Sequence, residues 1–435
     1  TMSLRLSAVD TLEMMVPAAP GGTEPPWVHA LATFGEPKYG PGYTHFEWVD
    51  PDAPKGGTLT LDQSGTITTQ GYAAHGMLAQ TIGGGGGVAG VGSTLGNGLI
   101  TIGAVGDNLD AGGGDGGTIQ YTGSGSIRTA GNDAYGILAQ SIGGGGGTAS
   151  LDSAAVGVTL GTANVSNNVT GDGGAITITQ SGGSITTAGA RAFGLVAQSI
   201  GGSGGLIGMA SGQLRSAQYG YGFGFGGPVT VTLGAAGAAP EDATIQTSGA
   251  GAYGMLVQSI SLAGGFAGDS SLSLATPVSN SLSAFDQVGA NGGAIDITLN
   301  GNITTTGTNA HGLFVQSLMG GGGVIEANGQ LAAGGNTSNF DITGNSGTIT
   351  IQQNGGAIAA TGQGSIGIFA QGSGSTSNNA PISITVNGSV QGGTGAGAAG
   401  IELAGGVVSS WGTNTVTIGG NGSVGTVDGT AGTAI

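Results

Sequence analysis

The sequence predicts an all-β chain that folds as a right-handed parallel β-helix, and three observations lead to this fold class. A phrase that reads Y-G-I-L-A-Q-S-I-G-G-G-G-G from Tyr135 recurs along most of the chain. Before each copy, apolar residues alternate with polar ones over short runs, which is the pattern of half-buried strands. No stretch long enough to matter has helical periodicity. Repeated strands without helices favour a solenoid in which each repeat stacks on the one before.

The glutamine of the phrase measures the repeat. It stands at Gln80, Gln140, Gln198, Gln258, Gln316 and Gln371. The successive intervals are 60, 58, 60, 58 and 55 residues, and chance does not produce such regularity. Units begin near residues 57, 117, 174, 228, 293, 347, 381 and 414, so that residues 57–435 form one repeat region.

Each unit contains three predicted strands. The first has a pair of apolar residues two apart, at Leu59/Leu61, Ile119/Tyr121, Ile176/Ile178, Val229/Val231, Ile295/Ile297, Ile349/Ile351, Ile382/Ile384 and Val416/Ile418. The second has one apolar residue among Ser and Thr, at Ile67, Ile127, Ile185, Ile245, Ile303, Ile358, Val390 and Val424. The third is the recurrent phrase itself. Three short strands ended by Gly suit one coil of a parallel β-helix, in which equivalent strands pair at about 4.8 Å.

Stacked repeats place identical side chains in columns along the helix. We predict that the six glutamines form one amide ladder, in which each side chain hydrogen-bonds to the next. A hydroxyl column accompanies it at Thr81, Ser141, Ser199, Ser259 and Ser317. An aromatic slot precedes the third strand and is occupied by His75, Tyr135, Phe193, Tyr253 and His311.

Glycine accounts for 100 of the 435 residues, and we assign most of it to tight corners between strands. Tracts such as 83–87 are expected to close each unit. The earlier units carry an additional stretch after this tract, for example from Val88 onwards. It is either an excursion from the helix or a second, weaker coil, and the sequence leaves both open.

The composition changes near residue 57. Eight of the 12 Pro and two of the three Trp precede this point, in an eighth of the chain. We expect a flexible arm over residues 1–26 and a separate segment over residues 27–56, followed by the β-helix over residues 57–435. The first 26 residues lack the apolar stretch of a signal peptide.

Charge narrows the classes of partner. Six Lys and Arg oppose 23 Asp and Glu, for a net charge of −17. Nucleic-acid binding requires clustered cations, so we exclude nucleic acid as a partner. No apolar run approaches the length of a membrane-spanning helix. The chain has no Cys, which excludes a disulfide scaffold and suits an exported bacterial protein.

Candidate chemistry is sparse, and we predict no catalytic residue, metal site or cofactor. His29 and His45 have no second ligand at metal-binding spacing, whereas His75 and His311 belong to the aromatic slot. Ser203 stands in a G-x-S-x-G pattern without the strand-to-helix context of a nucleophile. Four carboxylates, three in the second insert region and one at the equivalent position one unit later, could bind calcium or act on an acidic polysaccharide. The simpler interpretation is that they are solvated turn residues. They are Asp107, Asp110, Asp115 and Asp172.

The repeat unit that carries G-I-L-A-Q-S-I-G-G-G-G-G resembles repeats in the passenger regions of autotransporters, the type V secretion proteins of Gram-negative bacteria. The resemblance covers residues 57–435, and it is sharp at five copies and weaker at the sixth. Such passengers are typically parallel β-helices, translocated through a C-terminal outer-membrane barrel and displayed at the cell surface, often as adhesins. It implies a surface-displayed or secreted passenger fragment that contacts an unknown receptor or neighbouring cells. The translocator barrel is expected to be absent from this chain.

A second resemblance concerns residues 29–61, H-A-L-A-T-F-G-E-P-K-Y-G-P-G-Y-T-H-F-E-W-V-D-P-D-A-P-K-G-G-T-L-T-L. This segment resembles the mature N-terminus of periplasmic oligopeptide-type solute-binding proteins of ABC importers. The rest of that two-lobed domain is absent, so that no peptide-binding residue is carried over. The two resemblances meet at G-G-T-L-T-L, residues 56–61, where we hypothesise a fusion or an assembly artefact.

These observations favour a non-catalytic, surface-displayed β-helical passenger that acts as an adhesin or a structural spacer. One alternative is a fragment or fusion of a periplasmic peptide-binding protein, which the N-terminal resemblance supports. Another is a β-helical enzyme that acts on polysaccharide, although such an enzyme needs cations to hold an acidic substrate.

Overall fold

The computed structural model describes residues 4–6, 12–14, 57–91, 99–102, 114–151, 157–160, 171–208, 224–261, 263–268, 291–319, 322–327, 330–335, 344–373, 380–405, 413–427 and 435. The chain divides into two compact units, Thr1–Pro54 and Lys55–Ile435. In the first unit, strands Leu4–Leu6 and Leu12–Met14 pair in antiparallel fashion. The rest of the arm expected over residues 1–26, and the whole of the segment 27–56, lie outside the described residues.

The second unit is a parallel β-helix, and the predicted fold class is confirmed. Its first sheet has eight parallel strands, one from each coil. They are Thr58–Gln63, Thr118–Gly123, Ile176–Gln180, Val229–Leu233, Ile295–Leu299, Ile349–Gln353, Ile382–Val386 and Thr415–Ile418. Apolar and polar residues that alternate in the sequence point alternately to the interior and to solvent. In coil 3, Ile176 and Ile178 are buried while Thr177 between them faces solvent.

The second sheet also has eight parallel strands. They are Thr66–Thr69, Ser126–Thr129, Gly183–Thr187, Ala243–Thr247, Asn302–Thr305, Ala357–Ala360, Ser389–Gly392 and Ser423–Thr426. Each presents one Ile or Val to the interior, as the sequence pattern predicts. A 3₁₀ turn at Pro240–Asp242 precedes the fourth of these strands.

The third sheet is formed by the recurrent phrase and has seven parallel strands. They are Met77–Ile82, Ile137–Ile142, Leu195–Ile200, Met255–Ile260, Leu313–Leu318, Ile366–Ser373 and Ala399–Gly405. In coils 2 to 5 every residue of this strand is buried. Burial on both faces explains why the phrase is apolar without alternation.

A fourth sheet covers the outer face of the third, and the sequence did not predict it. Its parallel strands come from coils 1 to 5 and are Gly86–Val91, Gly145–Leu151, Ser203–Ile207, Ala263–Ala267 and Gly322–Ala327. The glycine tracts therefore lead into a stacked strand and do not simply close the unit at a corner. An antiparallel strand, Gln330–Gly335, follows Gly322–Ala327 and ends this sheet. The first residues of the insert in coils 1 to 5 therefore belong to the stacked strands of the fourth sheet.

One further pair of strands lies in the inserts of the first two complete units. Leu99–Ile102 and Gly157–Leu160 pair in parallel. The remainder of the inserts lies outside the described residues, so that their second-coil interpretation stays open beyond these two strands.

The described residues form two large hydrophobic cores and a smaller row of Ile142, Ile200, Ile260 and Leu318. The first lies inside the coil, where stacked rows of Ile, Val, Leu and Ala from the first three sheets meet, such as Ile178, Ile185 and Leu195 in coil 3. The second lies between the third and fourth sheets, where Val196 and Leu206 of the same coil pack together. Each fully buried side chain of this size contributes about 1.5–3 kcal/mol.

Candidate functional site

The six glutamines lie in one column, and each amide donates to the next. The distances from Nε2 to the following Oε1 are 2.6, 2.7, 2.6, 2.7 and 2.6 Å along the series. The four middle glutamines are fully buried. The column lies on the outer face of the third sheet, in the second core, and not inside the coil. An amide in that position must satisfy its polar atoms with partners in the protein.

The fourth sheet satisfies the second N–H of the four middle amides. Nε2 of Gln198 lies 3.4 Å from the carbonyl oxygen of Gly205, and Gln258 repeats this contact with Gly265 at 3.3 Å. The glycines of this sheet have φ near +140°, for example 140° at Gly205. Residues with a Cβ rarely adopt this conformation. An added Cβ at Gly205 would also overlap the carbonyl oxygen of Gly147 in the preceding coil. Glutamine and glycine tract therefore form one structural motif.

The serine column links three segments of backbone in each coil. Oγ of Ser199 donates to the carbonyl oxygen of Gly174 at 2.8 Å and accepts from the amide of Gly227 at 2.8 Å. Gly174 and Gly227 precede the first strands of two successive coils. Ser141, Ser259 and Ser317 repeat the arrangement, and Thr81 makes the donor half of it. The column thus holds each coil to the next at the entrance to the first sheet.

The aromatic slot is a stack of rings. Centroids lie 4.8 Å apart for His75–Tyr135, 5.4 Å for Tyr135–Phe193, 4.8 Å for Phe193–Tyr253 and 4.6 Å for Tyr253–His311. The two imidazoles occupy the ends of this series. Nδ1 of His75 accepts the amide of Tyr135 at 3.2 Å, and Nδ1 of His311 accepts that of Ile366 at 2.9 Å. Nδ1 of each ring must carry no proton for these bonds to form.

Burial disfavours the charged imidazolium. Desolvation lowers the pKa of His75 from 6.5 to about 4 and that of His311 to about 3. Burial also raises the pKa of the Tyr135 hydroxyl well above 10. A metal site would need further ligands, and none of the described residues forms a group of three or more His, Cys, Asp or Glu.

A buried ion pair joins coils 2 and 3, and sequence analysis did not identify it. Nε and Nη2 of Arg191 donate to the two carboxylate oxygens of Asp133 at 2.9 and 3.0 Å. The pair occupies the corner before the aromatic slot, where both residues have φ of 54°. Gly251 and Asn309 hold the equivalent corner in coils 4 and 5, at 63° and 51°. The signal was present in the sequence as two opposite charges at one repeat position.

The same corner is closed by threonine. The hydroxyl of Thr129 at the end of the second strand donates to the carbonyl oxygen of Ala134. This contact recurs at Thr69–Ala74, Thr187–Ala192, Thr247–Ala252 and Thr305–Ala310. Each hydroxyl therefore fixes the turn that leads from the second strand to the aromatic slot.

Two of the carboxylates considered for calcium binding accept hydrogen bonds from backbone amides. Oδ1 of Asp115 accepts the amide of Asp172 at 3.0 Å, and Oδ1 of Asp172 accepts that of Phe225 at 2.8 Å. They support turns between successive coils. Asp107 and Asp110 lie outside the described residues, as do His29 and His45. Ser203 begins a strand of the fourth sheet, Ser203–Ile207.

The solvent face of the first sheet is lined by hydroxyls and amides. In one row every residue is exposed, and its members are Thr60, Gln120, Thr177, Thr230, Asp296, Thr350, Ser383 and Thr415. In the described part of the β-helix, the basic side chains are Arg128 and the buried Arg191. The described surface is thus polar with few charges. No helix among the described residues is long and apolar enough to cross a membrane.

Comparisons with known proteins give short local similarities. No family model matches the chain, and no solved structure matches it. A 56-residue segment is 45% identical to the uncharacterized protein y4wM of Sinorhizobium fredii, over 13% of this chain and 8% of that protein. A 65-residue segment is 40% identical to the probable peptide-binding protein YejA of Agrobacterium fabrum, over 15% and 11%. A 39-residue segment is 49% identical to the uncharacterized protein YejA of Escherichia coli, over 9% and 6%.

The chain therefore spans about a tenth or less of the curated proteins that it matches. Similarities of this length are in keeping with a resemblance of one segment to a probable peptide-binding protein.

Proposed function

We propose that the chain is a non-catalytic β-helical passenger that is displayed at the surface of a Gram-negative bacterium, where it acts as an adhesin or a spacer. The observation that carries this proposal is the stack of eight coils among the described residues. Their buried columns repeat from coil to coil, while an exposed row of the first sheet contains Thr, Gln, Asp and Ser. A rod of this construction projects a surface away from its point of attachment.

The character of the surface supports a binding or spacing role. Exposed positions of the first sheet are mainly Thr, and the glutamine and serine columns of the interior are used in inter-coil hydrogen bonds. Two of the carboxylates that the sequence offered for chemistry, Asp115 and Asp172, accept hydrogen bonds from backbone amides of the next coil. A surface receptor or a neighbouring cell is the proposed partner, and an outer-membrane translocator is the proposed route of export.

Accessibility on intact cells tests this proposal. Antibodies raised against residues 57–435 should label cells that express the native gene, and external proteinase K should remove the label. Labelling that requires permeabilised cells would contradict surface display. The adhesive and spacer roles separate in a second assay, because only an adhesin makes coated beads bind to cells.

A second candidate is a peptide-binding protein, favoured by the short match to the probable peptide-binding protein of Agrobacterium fabrum. Calorimetric titration of the full chain with a mixture of oligopeptides addresses it. Saturable heat at one site would favour this candidate over the passenger, whereas a titration without binding heat would leave the passenger as the better account.

A further inference from the structure

Five Asn-Gly pairs lie in the described part of the β-helix. Their asparagines are Asn291, Asn300, Asn354, Asn387 and Asn421. In such a pair the backbone nitrogen of the glycine can attack the side-chain amide carbon of the asparagine and close a five-membered ring. Glycine has no Cβ that would hinder this approach. Reaction in the folded chain therefore depends on the space around the glycine and on the contacts of the asparagine amide.

The structure leaves open space around one of the five glycines. An added Cβ at Gly355 would meet nothing within 4 Å, and Asn354 before it is exposed. At the four other glycines an added Cβ would lie 2.1 to 2.7 Å from the nearest atom. They are Gly292, Gly301, Gly388 and Gly422. The corner at residues 354–355 can therefore accommodate a ring without displacing a neighbouring coil.

The nitrogen that would attack is also available in this pair. Among the described residues, the amide of Gly355 donates to no backbone carbonyl. In two of the other pairs this amide is held. Gly292 donates to the carbonyl oxygen of Asn345 at 3.0 Å, and Gly422 donates to that of Gly419 at 2.9 Å.

The side-chain amide of Asn354 makes two contacts. Its Nδ2 donates to Oδ1 of Asn300 in the preceding coil at 2.9 Å, and its Oδ1 accepts from Nε2 of Gln352 at 3.1 Å. Negative charge develops on Oδ1 when a nucleophile attacks the amide carbon, and a donor aimed at this oxygen stabilises that charge. The neighbouring coils have Thr298 and Thr385 at the position of Gln352. The arrangement is therefore particular to coil 6.

We propose that Asn354 is a site of spontaneous deamidation, in which Gly355 supplies the nucleophile and Gln352 stabilises the charge on Oδ1. The nitrogen of Gly355 forms a bond to Cγ of Asn354 and gives up its proton. The bond from Cγ to Nδ2 breaks, and ammonia leaves with that proton. Water then opens the succinimide ring at either carbonyl, which gives aspartate or isoaspartate at this position. This modification goes beyond the proposed surface role and does not depend on it.

Either product weakens the link between coils 5 and 6. A carboxylate has no proton to donate, so that an oxygen would face Oδ1 of Asn300 where an N–H stands now. Isoaspartate also adds a carbon to the main chain at the corner between strands Ile349–Gln353 and Ala357–Ala360. We expect amide exchange over residues 357–360 to become faster in the modified chain, and exchange over residues 183–187 in coil 3 to stay unchanged.

Peptide mapping of the full chain after incubation in heavy-oxygen water tests the proposal, because the heavy oxygen marks each amide that has become an acid. The same chain unfolded in urea is the reference, since every Asn-Gly pair is accessible there. In the folded chain Asn354 should react about tenfold or more faster than Asn300, whereas in urea the two rates should be similar. Equal rates in the folded chain would overturn the proposal. So would a folded chain in which Asn387 or Asn421 reacts faster than Asn354.

Substitutions at Gln352 test the hydrogen bond to Oδ1. Gln352→Glu keeps the shape of the side chain without the donor and should slow the reaction of Asn354 about fivefold, whereas Gln352→Arg supplies another donor and should react within about twofold of the wild type. Gln120→Glu adds the same charge at an exposed position of the first sheet in coil 2 and should have no effect. An unchanged rate in Gln352→Glu, or a fall of equal size in urea, would show that Gln352 does not assist the reaction. Circular dichroism melts establish that each variant is folded.

Discussion

At the scale of the residue, the protein uses buried polar side chains as the connections between coils. Ser199 bridges two backbone segments, Thr129 closes a corner and Gln198 links three coils through one amide. Gln198 and Ser199 each replace water with a partner in a neighbouring coil, whereas Thr129 bonds within its own coil. A hydrogen bond of this kind contributes about 1 kcal/mol, but a buried amide left without its partners costs more than that. The columns therefore fix the register of stacking.

The middle of the glutamine ladder is the most direct residue to change. Gln198→Leu keeps the size of the side chain but removes an acceptor for Gln140 and a donor for Gln258. We expect a loss of about 2–4 kcal/mol in the free energy of unfolding. Gln246→Leu on the exposed face of the second sheet is the matched control and should change it by less than about 0.5 kcal/mol. Equal denaturation midpoints for the two variants would reject the ladder.

The ion pair between coils 2 and 3 should behave as a coupled unit. Asp133→Asn leaves the buried Arg191 without its carboxylate, and we expect a loss of about 3 kcal/mol. Adding Arg191→Asn gives both corners the residue that coil 5 has at Asn309. The double variant should be more stable than Asp133→Asn alone. Additive losses in a double-mutant cycle would show that the two residues stabilise the corner separately.

The buried imidazoles make stability depend on pH. A His whose pKa falls on folding contributes stability that is present above pH 6.5 and is lost as the pH falls towards the folded value. For His311 this loss runs from about pH 6.5 down to about 3 and amounts to roughly 4 kcal/mol. His311→Phe, which places the residue of coil 3 in the slot, should flatten the fall in melting temperature between pH 7 and pH 4. An unchanged slope would show that His311 does not titrate in this way.

At the scale of the element, the fourth sheet depends on glycine for two reasons that act together. Its strands need φ near +140°, and they lie so close to the next coil that a Cβ would overlap a carbonyl oxygen. The outcome is a thin layer of backbone that covers the glutamines and supplies carbonyl acceptors to them. Close approach also requires glycine outside this sheet: at Gly136 an added Cβ would overlap the carbonyl oxygen of Gly194 and a methyl group of Ile185.

Substitution of one glycine tests whether the glycine tract forms an ordered strand or is flexible. Gly204→Ala introduces a Cβ at φ of 143°, against the carbonyl oxygen of Gly264. We expect a loss of more than about 3 kcal/mol and faster amide exchange over residues 203–207. Gly355→Ala is the control, because nothing lies within 4 Å of an added Cβ there and its φ is not positive. If both variants melt together, the glycine tract does not form this strand.

At the scale of the whole molecule, the sequence predicted those elements whose side chains leave a periodic pattern. The parallel β-helix and its inward rows followed from alternation and spacing, because both leave a periodic trace in side chains such as Ile176, Thr177 and Ile178. The fourth sheet left no such trace, since a run of glycine has no side chains to alternate. The pair of Asp133 and Arg191 was missed because each residue looks like a solvated corner until coils 2 and 3 are stacked.

The stacking of coils is the central claim, and distances along one column test it most directly. The chain has no Cys, so that pairs of introduced cysteines accept spin labels without background. Thr60, Thr230, Thr350 and Thr415 are exposed and belong to one row, in coils 1, 4, 6 and 8. Labels at residue 60 paired with each of the others, diluted in unlabelled protein, should lie about 14, 24 and 34 Å apart at about 4.8 Å per coil. Distances that do not increase with the number of intervening coils would contradict the parallel β-helix.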